Sequence, residues 1–457
     1  MAKLYTFFIK FFRNSFSHRS SFWLTLIFAA LISYQCVSKK GLTSDNGKEN
    51  TAPYKQDAVP EQMFEFVRDN SIRTVQFHKM GLINSYPIMD LTSGERLTLE
   101  FDILGTGQSK SLQYTFVHCD ADWNRSNILQ SDYIAGLFSD NILSYSFSTS
   151  TFYKYTHYRV DLPSEDIRPK ISGNYMLIVY ENDIEQPIIA RKFYVYDRQV
   201  AVTADVHRAT YAKYRDSHQE IDFTINTQDL TPVDAFNDIK VVLKKNWNTI
   251  TEIRDLKPTY VNDKGLVYNY EEGNLFEAGN EYRAFDTRDV RYKGIGIKTY
   301  IRDSIYHAIL FTDEDRSYKQ YSTYIDQNGN YTITTRNGID ASTDADYIDV
   351  NFKLKPSYSE EQKTYIYGAL TNWQIDERFR MNYNVRDGYT CNVLLKQGYY
   401  DYEYVVVNEN GEFVPAVFEG NHWETENNYT IFVYYKPRNL LGDRLVGVYL
   451  LNTTVKK

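Results

Sequence analysis

The run Arg96-Leu97-Thr98-Leu99-Glu100-Phe101-Asp102 places an apolar side chain at every second position. Because neighbouring side chains of a β-strand point to opposite faces, this alternation predicts a strand with one buried face. Other short runs rich in apolar and aromatic residues are typical of strands: Tyr175–Tyr180, Lys192–Tyr196 and Ile221–Ile225. Turn-forming residues separate such runs, for example Ser93-Gly94-Glu95, Asn182-Asp183 and Gln327-Asn328-Gly329-Asn330.

Composition extends this interpretation to the whole chain. The 457 residues include 41 Tyr and 26 Phe but only 11 Pro. Aromatic side chains favour strands, and the spacing of the turns suits sandwich domains, so we predict an all-β protein. At ~100 to 150 residues per domain the chain should hold three tandem immunoglobulin-like β-sandwich domains. The predicted boundaries are 63–198, 199–343 and 344–457, after a polar, flexible tether over residues 37–62.

The N-terminus has the layout of an export signal over residues 1–36. Basic residues precede an apolar run from Phe22 to Ile32, and no acidic residue occurs before Asp45. The run is shorter than the ~20 residues that a membrane span needs. Cys36 stands where a lipid-modified cysteine would follow such a run, so acylation of Cys36, ordinary cleavage nearby and an uncleaved anchor are all open. We expect an exported, periplasmic protein, with the inner leaflet of the outer membrane as the site of any lipid tether.

Charge and cysteine content narrow the possible partners. The chain has 51 basic and 59 acidic residues, and residues 1–36 contain four basic and no acidic ones. The remainder therefore has 47 basic against 59 acidic residues, a balance of minus 12 that disfavours nucleic-acid binding. Beyond Cys36, only Cys119 and Cys391 remain, and we expect both thiols to be free and buried.

One stretch, from Tyr114 to Asn124, combines the residue types of a reactive site: His118, Cys119, Asp120, Asp122 and Trp123. A metal ion needs three or four converging ligands, whereas His118 and Cys119 would point to opposite faces of a strand. The alternative is that Asp120 and Asp122 shape a turn by hydrogen bonds to the backbone while Trp123 is buried. We favour this structural interpretation and predict no catalytic, cofactor-binding or metal-binding residue.

The same stretch, continued to Asn127, also belongs to an ordered set of motifs. The others are Ser131–Gly136, Ser71–Gln76 with Tyr86-Pro87-Ile88, Tyr155–Tyr158, Ser172–Tyr175 and Arg215–Glu220. Together they resemble the type IX secretion system plug family of Bacteroidetes-type bacteria. The resemblance implies an exported, non-enzymatic protein that plugs the periplasmic mouth of a large outer-membrane β-barrel when no substrate is passing. It implies that barrel as partner, and no cofactor.

A second resemblance lies near the C-terminus. The run Tyr365–Trp373 and the later Lys396–Tyr404 are similar to glycogen-binding and related early-set immunoglobulin-like modules. In those modules an exposed aromatic ring stacks on a sugar, so Asn372, Trp373 and Trp423 are candidate glycan-binding residues. The alternative function is therefore a carbohydrate-binding protein of the cell envelope. The same pattern also occurs where the tryptophan is buried and the module only packs or docks.

Overall fold

The computed structural model describes residues 62–453 except 106, 228–229, 231, 233, 264, 337, 358–360, 415 and 437–441. The predicted export signal, Cys36 and the tether up to residue 61 lie outside the described residues. Gln62, the last residue of the predicted tether, forms an isolated antiparallel bridge with Asn124. Among the helices of the described part, none is long and apolar enough to cross a membrane.

The first sandwich contains twelve strands and one short helix: β1 (Phe66–Val67), β2 (Ile72–Lys79), β3 (Ile88–Asp90), β4 (Leu97–Leu104), β5 (Gln113–Cys119), α1 (Gln130–Tyr133), β6 (Ile134–Gly136), β7 (Asp140–Asn141), β8 (Ser144–Phe147), β9 (Tyr155–Leu162), β10 (Ile167–Pro169), β11 (Gly173–Tyr180) and β12 (Ile189–Tyr196). One sheet has the order β1-β12-β11-β5-β7, with β3 parallel to β12. The other has the order β2-β4-β9-β8, and β6 pairs with β10. Their facing apolar side chains form one core.

Further along the chain come β13 (Ala201–Arg208), β14 (His218–Asn226), α2 (Ala235–Asp238), β15 (Ile239–Lys245), β16 (Asn248–Arg254), β17 (Tyr260–Asn262), β18 (Gly265–Tyr268) and β19 (Leu275–Glu277). They are followed by β20 (Arg283–Asp286), β21 (Ile297–Arg302), β22 (Tyr306–Leu310), β23 (Asp313–Glu314), β24 (Tyr331–Ile333), α3 (Ala341–Asp344), β25 (Tyr347–Lys355), β26 (Lys363–Tyr367), β27 (Asn382–Asn384), β28 (Gly388–Lys396), β29 (Gly398–Val407) and β30 (Phe413–Val414). The last two strands are β31 (Asn428–Tyr435) and β32 (Arg444–Asn452).

Strand pairing divides these elements into two more sandwiches. The middle sandwich has one sheet of order β13-β14-β18-β17 with β19 beside β14, and a second of order β16-β15-β31-β32. The third has a sheet built on β29, which pairs with β20, β24, β26 and β30, and a sheet of order β21-β22-β25-β28-β27 with β23 beside β25. Each sandwich encloses its own apolar core. The prediction of an all-β protein built from β-sandwiches is confirmed.

The sheets group the residues differently from the predicted boundaries after residue 198. Strands β20 and β24 precede residue 343, yet they pair with β29 of the third sandwich. Strands β31 and β32 come from the end of the chain, yet β31 pairs with β15 of the middle sandwich. The third sandwich is thus inserted between β19 and β31. Local composition cannot reveal this, because a strand's partner is chosen by packing between segments far apart in sequence.

A further core joins the three sandwiches. It draws Trp123 and Tyr194 from the first, Trp247, Phe432 and Tyr434 from the middle, and Tyr367 and Trp373 from the third. Strand β11 shows how the first sandwich contributes to it, because Tyr175 and Leu177 face the sandwich's own core while Met176 and Ile178 face the shared one. All eight residues of β11 are buried, which explains why its sequence is apolar without alternation.

Candidate functional site

The stretch from Tyr114 to Asn124, here called the signature stretch, contains most of β5 and the tight turn that follows it. Hydrogen bonds to Asp120 stabilise this turn. Its Oδ1 accepts hydrogen bonds from the backbone N–H of Asp122 at 2.9 Å and of Asn124 at 2.8 Å. Within this turn Trp123 adopts a φ of 66°, in the left-handed region that non-glycine residues rarely occupy. The turn directs the Trp123 side chain into the shared core, where the ring meets Tyr194 edge-on at 5.2 Å. Asp120 therefore stabilises the backbone of the turn, and Trp123 packs in the shared core.

His118 is fully buried and both ring nitrogens have partners. Nε2 lies 3.2 Å from the carbonyl oxygen of Ser172, to which it donates, and Nδ1 lies 2.7 Å from the Ser126 hydroxyl, from which it accepts. Burial lowers the pKa of His118 to about 4. A Cβ at Gly173, whose φ is 152°, would stand 2.2 Å from Nε2, so this close approach requires glycine. The neutral ring is a packing element between β5 and β11.

This burial makes the stability of the protein depend on pH in a defined direction. In the unfolded chain a histidine takes up its proton near pH 6.5, whereas folded His118 does so only near pH 4. The free energy of unfolding should therefore fall by about 3 kcal/mol through His118 as the pH drops from 6.5 to 4. Urea unfolding at a series of pH values measures this, with His118→Gln as the non-titrating comparison. Equal pH slopes for the two proteins would contradict it.

Cys119 and Cys391 are free and buried, as predicted. Burial raises the pKa of the Cys119 thiol well above its ordinary value, and it raises that of Cys391 to about 12. A nucleophilic or metal-binding cysteine needs the thiolate form. Cys119 therefore stays protonated and packs in the shared core as a small apolar side chain.

The signature turn also fastens the first sandwich to the middle one. Asp443 Oδ2 accepts a hydrogen bond from the N–H of Ala121 at 2.9 Å, and the Arg254 guanidinium donates to the Ala121 carbonyl oxygen at 2.9 Å. The Lys240 ammonium lies 2.7 Å from Asp122 Oδ2. The partners of Asp122 on the middle sandwich, Lys240 and Arg254, lie more than 100 positions away, so the sequence motif around Asp122 does not reveal them.

A buried ion pair fastens the first sandwich to the third. Lys396 Nζ lies 2.7 Å from Asp102 Oδ2, and both side chains are 1% exposed. Tyr347 donates a hydrogen bond to the same oxygen at 2.7 Å, and His157 Nδ1 lies 2.8 Å from Asp102 Oδ1. Burial alone would raise the pKa of Asp102, but the Lys396 ammonium and His157 outweigh it and hold that pKa below its ordinary value. Asp102 is thus ionised and links the first sandwich to the third through a buried ion pair.

Comparison with known proteins identifies the family to which the signature stretch belongs. Residues 72–197, which begin with β2 and end just after β12, match the family model described as the type 9 secretion system plug protein 1st domain. A solved structure of a hypothetical protein from Parabacteroides merdae is 32% identical, with a TM-score of 0.82, covering 86% of this chain and 99% of that chain. The chain belongs to the type IX secretion system plug family.

Membership of the plug family confirms the resemblance predicted from the sequence motifs. The family is a non-catalytic component of type IX protein secretion, so this plug-family protein has a secretion-related role. A further solved structure, Escherichia coli alpha-2-macroglobulin activated by porcine elastase, aligns with 11% identity and a TM-score of 0.16 over 82% of this chain and 30% of that chain, too low for a fold comparison. No curated protein matches the chain.

The predicted glycan-binding residues of the plug-family protein do not form an exposed aromatic platform. Trp373 is 4% exposed and packs edge-on against Tyr367 at 5.6 Å and Tyr282 at 6.2 Å. A sugar cannot stack on a ring that the protein buries to this extent. Asn372 adopts a left-handed φ of 55° beside it and serves the turn. Trp423 is half-buried elsewhere, under the Arg208 guanidinium at 5.1 Å.

Proposed function

We propose that this protein binds the periplasmic mouth of the large outer-membrane β-barrel of the type IX translocon and closes it while no substrate passes. Membership of the plug family supports the link to the translocon. The predicted export signal supports a periplasmic location, and acylation of Cys36 would tether the protein to the inner leaflet of the outer membrane. The proposed action is steric and requires no reaction.

The shared core is the observation that carries this proposal. A protein that blocks a pore must keep its shape, whereas sandwiches joined by flexible linkers would move independently. Here Tyr194 of the first sandwich stacks on Phe432 of the middle one at 4.4 Å. Tyr367 of the third donates a hydrogen bond to Asn248 Oδ1 of the middle one at 3.0 Å. Aromatic packing and buried polar contacts thus hold the described sandwiches together as one body.

Strand β8 offers a surface for the barrel. It stands at the end of its sheet and pairs with β9 along one side. Leu143, just before it, is 82% exposed, and Tyr145 and Phe147 on the same side of the strand are each 44% exposed. An exposed apolar edge strand invites pairing with another chain, which natural proteins otherwise prevent with charges or prolines. We assign Leu143, Tyr145 and Phe147, here called the β8 edge, as the contact with the translocon barrel.

Introducing charged residues at the β8 edge should weaken binding to the barrel without unfolding the protein. A protein with Leu143→Glu and Tyr145→Lys should recover at least about tenfold less barrel than the wild type in an affinity pull-down from detergent-solubilised outer membranes, because each change places a charge in an apolar contact. Cells carrying it should admit a normally excluded dye as readily as cells that lack the protein. Surface changes of this kind should leave the melting temperature nearly unchanged.

The matched control is Val385→Glu together with Ile325→Glu, since these apolar residues of the third sandwich are 85% and 93% exposed. The control should recover the barrel and keep the dye out. Unchanged permeability in cells without the protein would contradict the plug function. Full barrel recovery by the β8-edge variant, with permeability raised only in the deletion strain, would instead move the contact surface elsewhere on the molecule.

A further inference from the structure

Three side chains on the outer face of the β13–β14 pair each bring one polar atom to the same place. His207 lies directly opposite Glu220 in the antiparallel register, and Asp222 lies diagonally across from His207. His207 Nε2 is 3.2 Å from Asp222 Oδ2 and 3.9 Å from Glu220 Oε1. These three atoms lie within 4.8 Å of one another. This cluster is not visible in the sequence, because strand pairing alone brings His207 to the two carboxylates.

Each of the three groups is held in place by its other polar atom. His207 Nδ1 donates to the carbonyl oxygen of Arg208 at 2.9 Å, which turns Nε2 toward the carboxylates, where it is hydrogen-bonded to Asp222 Oδ2 at 3.2 Å. Glu220 Oε2 accepts a hydrogen bond from the N–H of Thr210 at 2.6 Å, and Asp222 Oδ1 accepts one from the buried Asn274 amide at 3.0 Å. Such outer contacts are what orient histidine and carboxylate ligands around metal ions.

We propose that His207, Glu220 and Asp222 bind a divalent transition metal ion, for which zinc is the probe. One imidazole nitrogen and two carboxylate oxygens form a ligand set that zinc accepts, and ligand atoms around tetrahedral zinc lie about 3.3 Å apart. Glu220 is 2% exposed, and its Oε1 is too far from His207 Nε2 for a hydrogen bond. A metal ion between these atoms would take the place of the proton on His207 Nε2 and bring Glu220 Oε1 into the same ligand set. The half-exposed His207 leaves the fourth position open to water.

Two other histidines show why this arrangement is specific. Among the residues that the structure describes, His157 and His307 also lie beside two carboxylates each. His307 has Asp349 at Nδ1, 3.0 Å away, and Asp303 at Nε2, 3.1 Å away. His157 likewise has Asp102 and Glu100 on different nitrogens. Carboxylates on opposite sides of the ring cannot share an ion with one nitrogen, whereas at His207 both face Nε2.

Zinc titration of the chelator-treated protein, followed by calorimetry, tests the assignment. The wild type should bind one zinc ion that Asp222→Asn and His207→Gln each weaken by at least about tenfold, and His307→Gln should match the wild type. Zinc should also raise the melting temperature of the wild type and of His307→Gln but not of the other two. Glu220→Gln serves as a third variant if one of these fails to fold. Equal zinc affinity in all folded variants would overturn the proposal and leave the cluster as a protonated histidine between two carboxylates.

Discussion

Replacing Lys396 by methionine should lower the free energy of unfolding by about 3–5 kcal/mol. The ammonium and the Asp102 carboxylate are both buried between the first and third sandwiches, 2.7 Å apart. Without the lysine, Asp102 stays buried and keeps only neutral donors and His157 beside it. An uncompensated charge in such a place is far more costly than a missing contact. Urea unfolding at neutral pH measures the loss.

Two further variants show whether the buried charge is the cause. Lys240→Met removes an ion pair of the same 2.7 Å length, but Lys240 and Asp122 are 31% and 46% exposed, so the cost should stay below about 1 kcal/mol. Adding Asp102→Asn to Lys396→Met should restore part of the lost stability, since it removes the orphaned charge. A loss in Lys396→Met no larger than in Lys240→Met would show that Asp102 does not need its lysine.

Replacing Trp373 by alanine should cost about 3–5 kcal/mol, because it opens a cavity in the core that joins the three sandwiches. The ring fills the space beside Gly329, where even a Cβ would come within 2.4 Å of Trp373 Cη2. Thermal and urea unfolding measure the loss. Trp423→Ala is the control on a half-buried ring and should cost clearly less, since water already reaches that site.

The same variant separates the two functions that the sequence left open. A glycan platform at Trp373 requires that alanine abolish sugar binding while stability is unchanged. The buried position predicts the reverse: stability falls, and a glycan panel shows no binding by the wild type. A stable Trp373→Ala protein that has lost a measurable glycan affinity would reinstate the carbohydrate-binding alternative.

The strands of this protein were predictable where their signal is local. The alternating run from Arg96 to Asp102 lies almost wholly within β4, and the runs near residues 175 and 192 lie within β11 and β12. Alternation records which face of a strand carries its apolar side chains, and this is a property of the strand itself. It does not reveal that the polar face of β4 is buried as well, at Thr98 and Asp102. The burial of Cys119 and Cys391 was predictable for a similar reason, since a free thiol behaves as a small apolar group.

The joints between sandwiches were not predictable, because their signal lies in pairs of distant residues. Lys396 is a polar residue at the end of β28, and the sequence carries no sign that it is buried. Only the packing of two sandwiches brings it to Asp102, 294 positions away. Trp373 shows the same limit, since its motif fixes the left-handed turn but not what covers the ring. A single sequence shows the chemistry of each side chain, whereas its burial depends on which residues, distant in sequence, pack against it.

The insertion of the third sandwich between β19 and β31 imposes an order on folding. The first and third sandwiches are each built from one continuous stretch of chain, so they can form as soon as that stretch is available. The middle sandwich begins at β13 but lacks half of one sheet until β31 and β32 emerge at the C-terminus. During synthesis, β15 therefore has an unpaired edge until the last strands are available. The molecule can reach its closed, three-part form only after nearly the whole chain has been delivered.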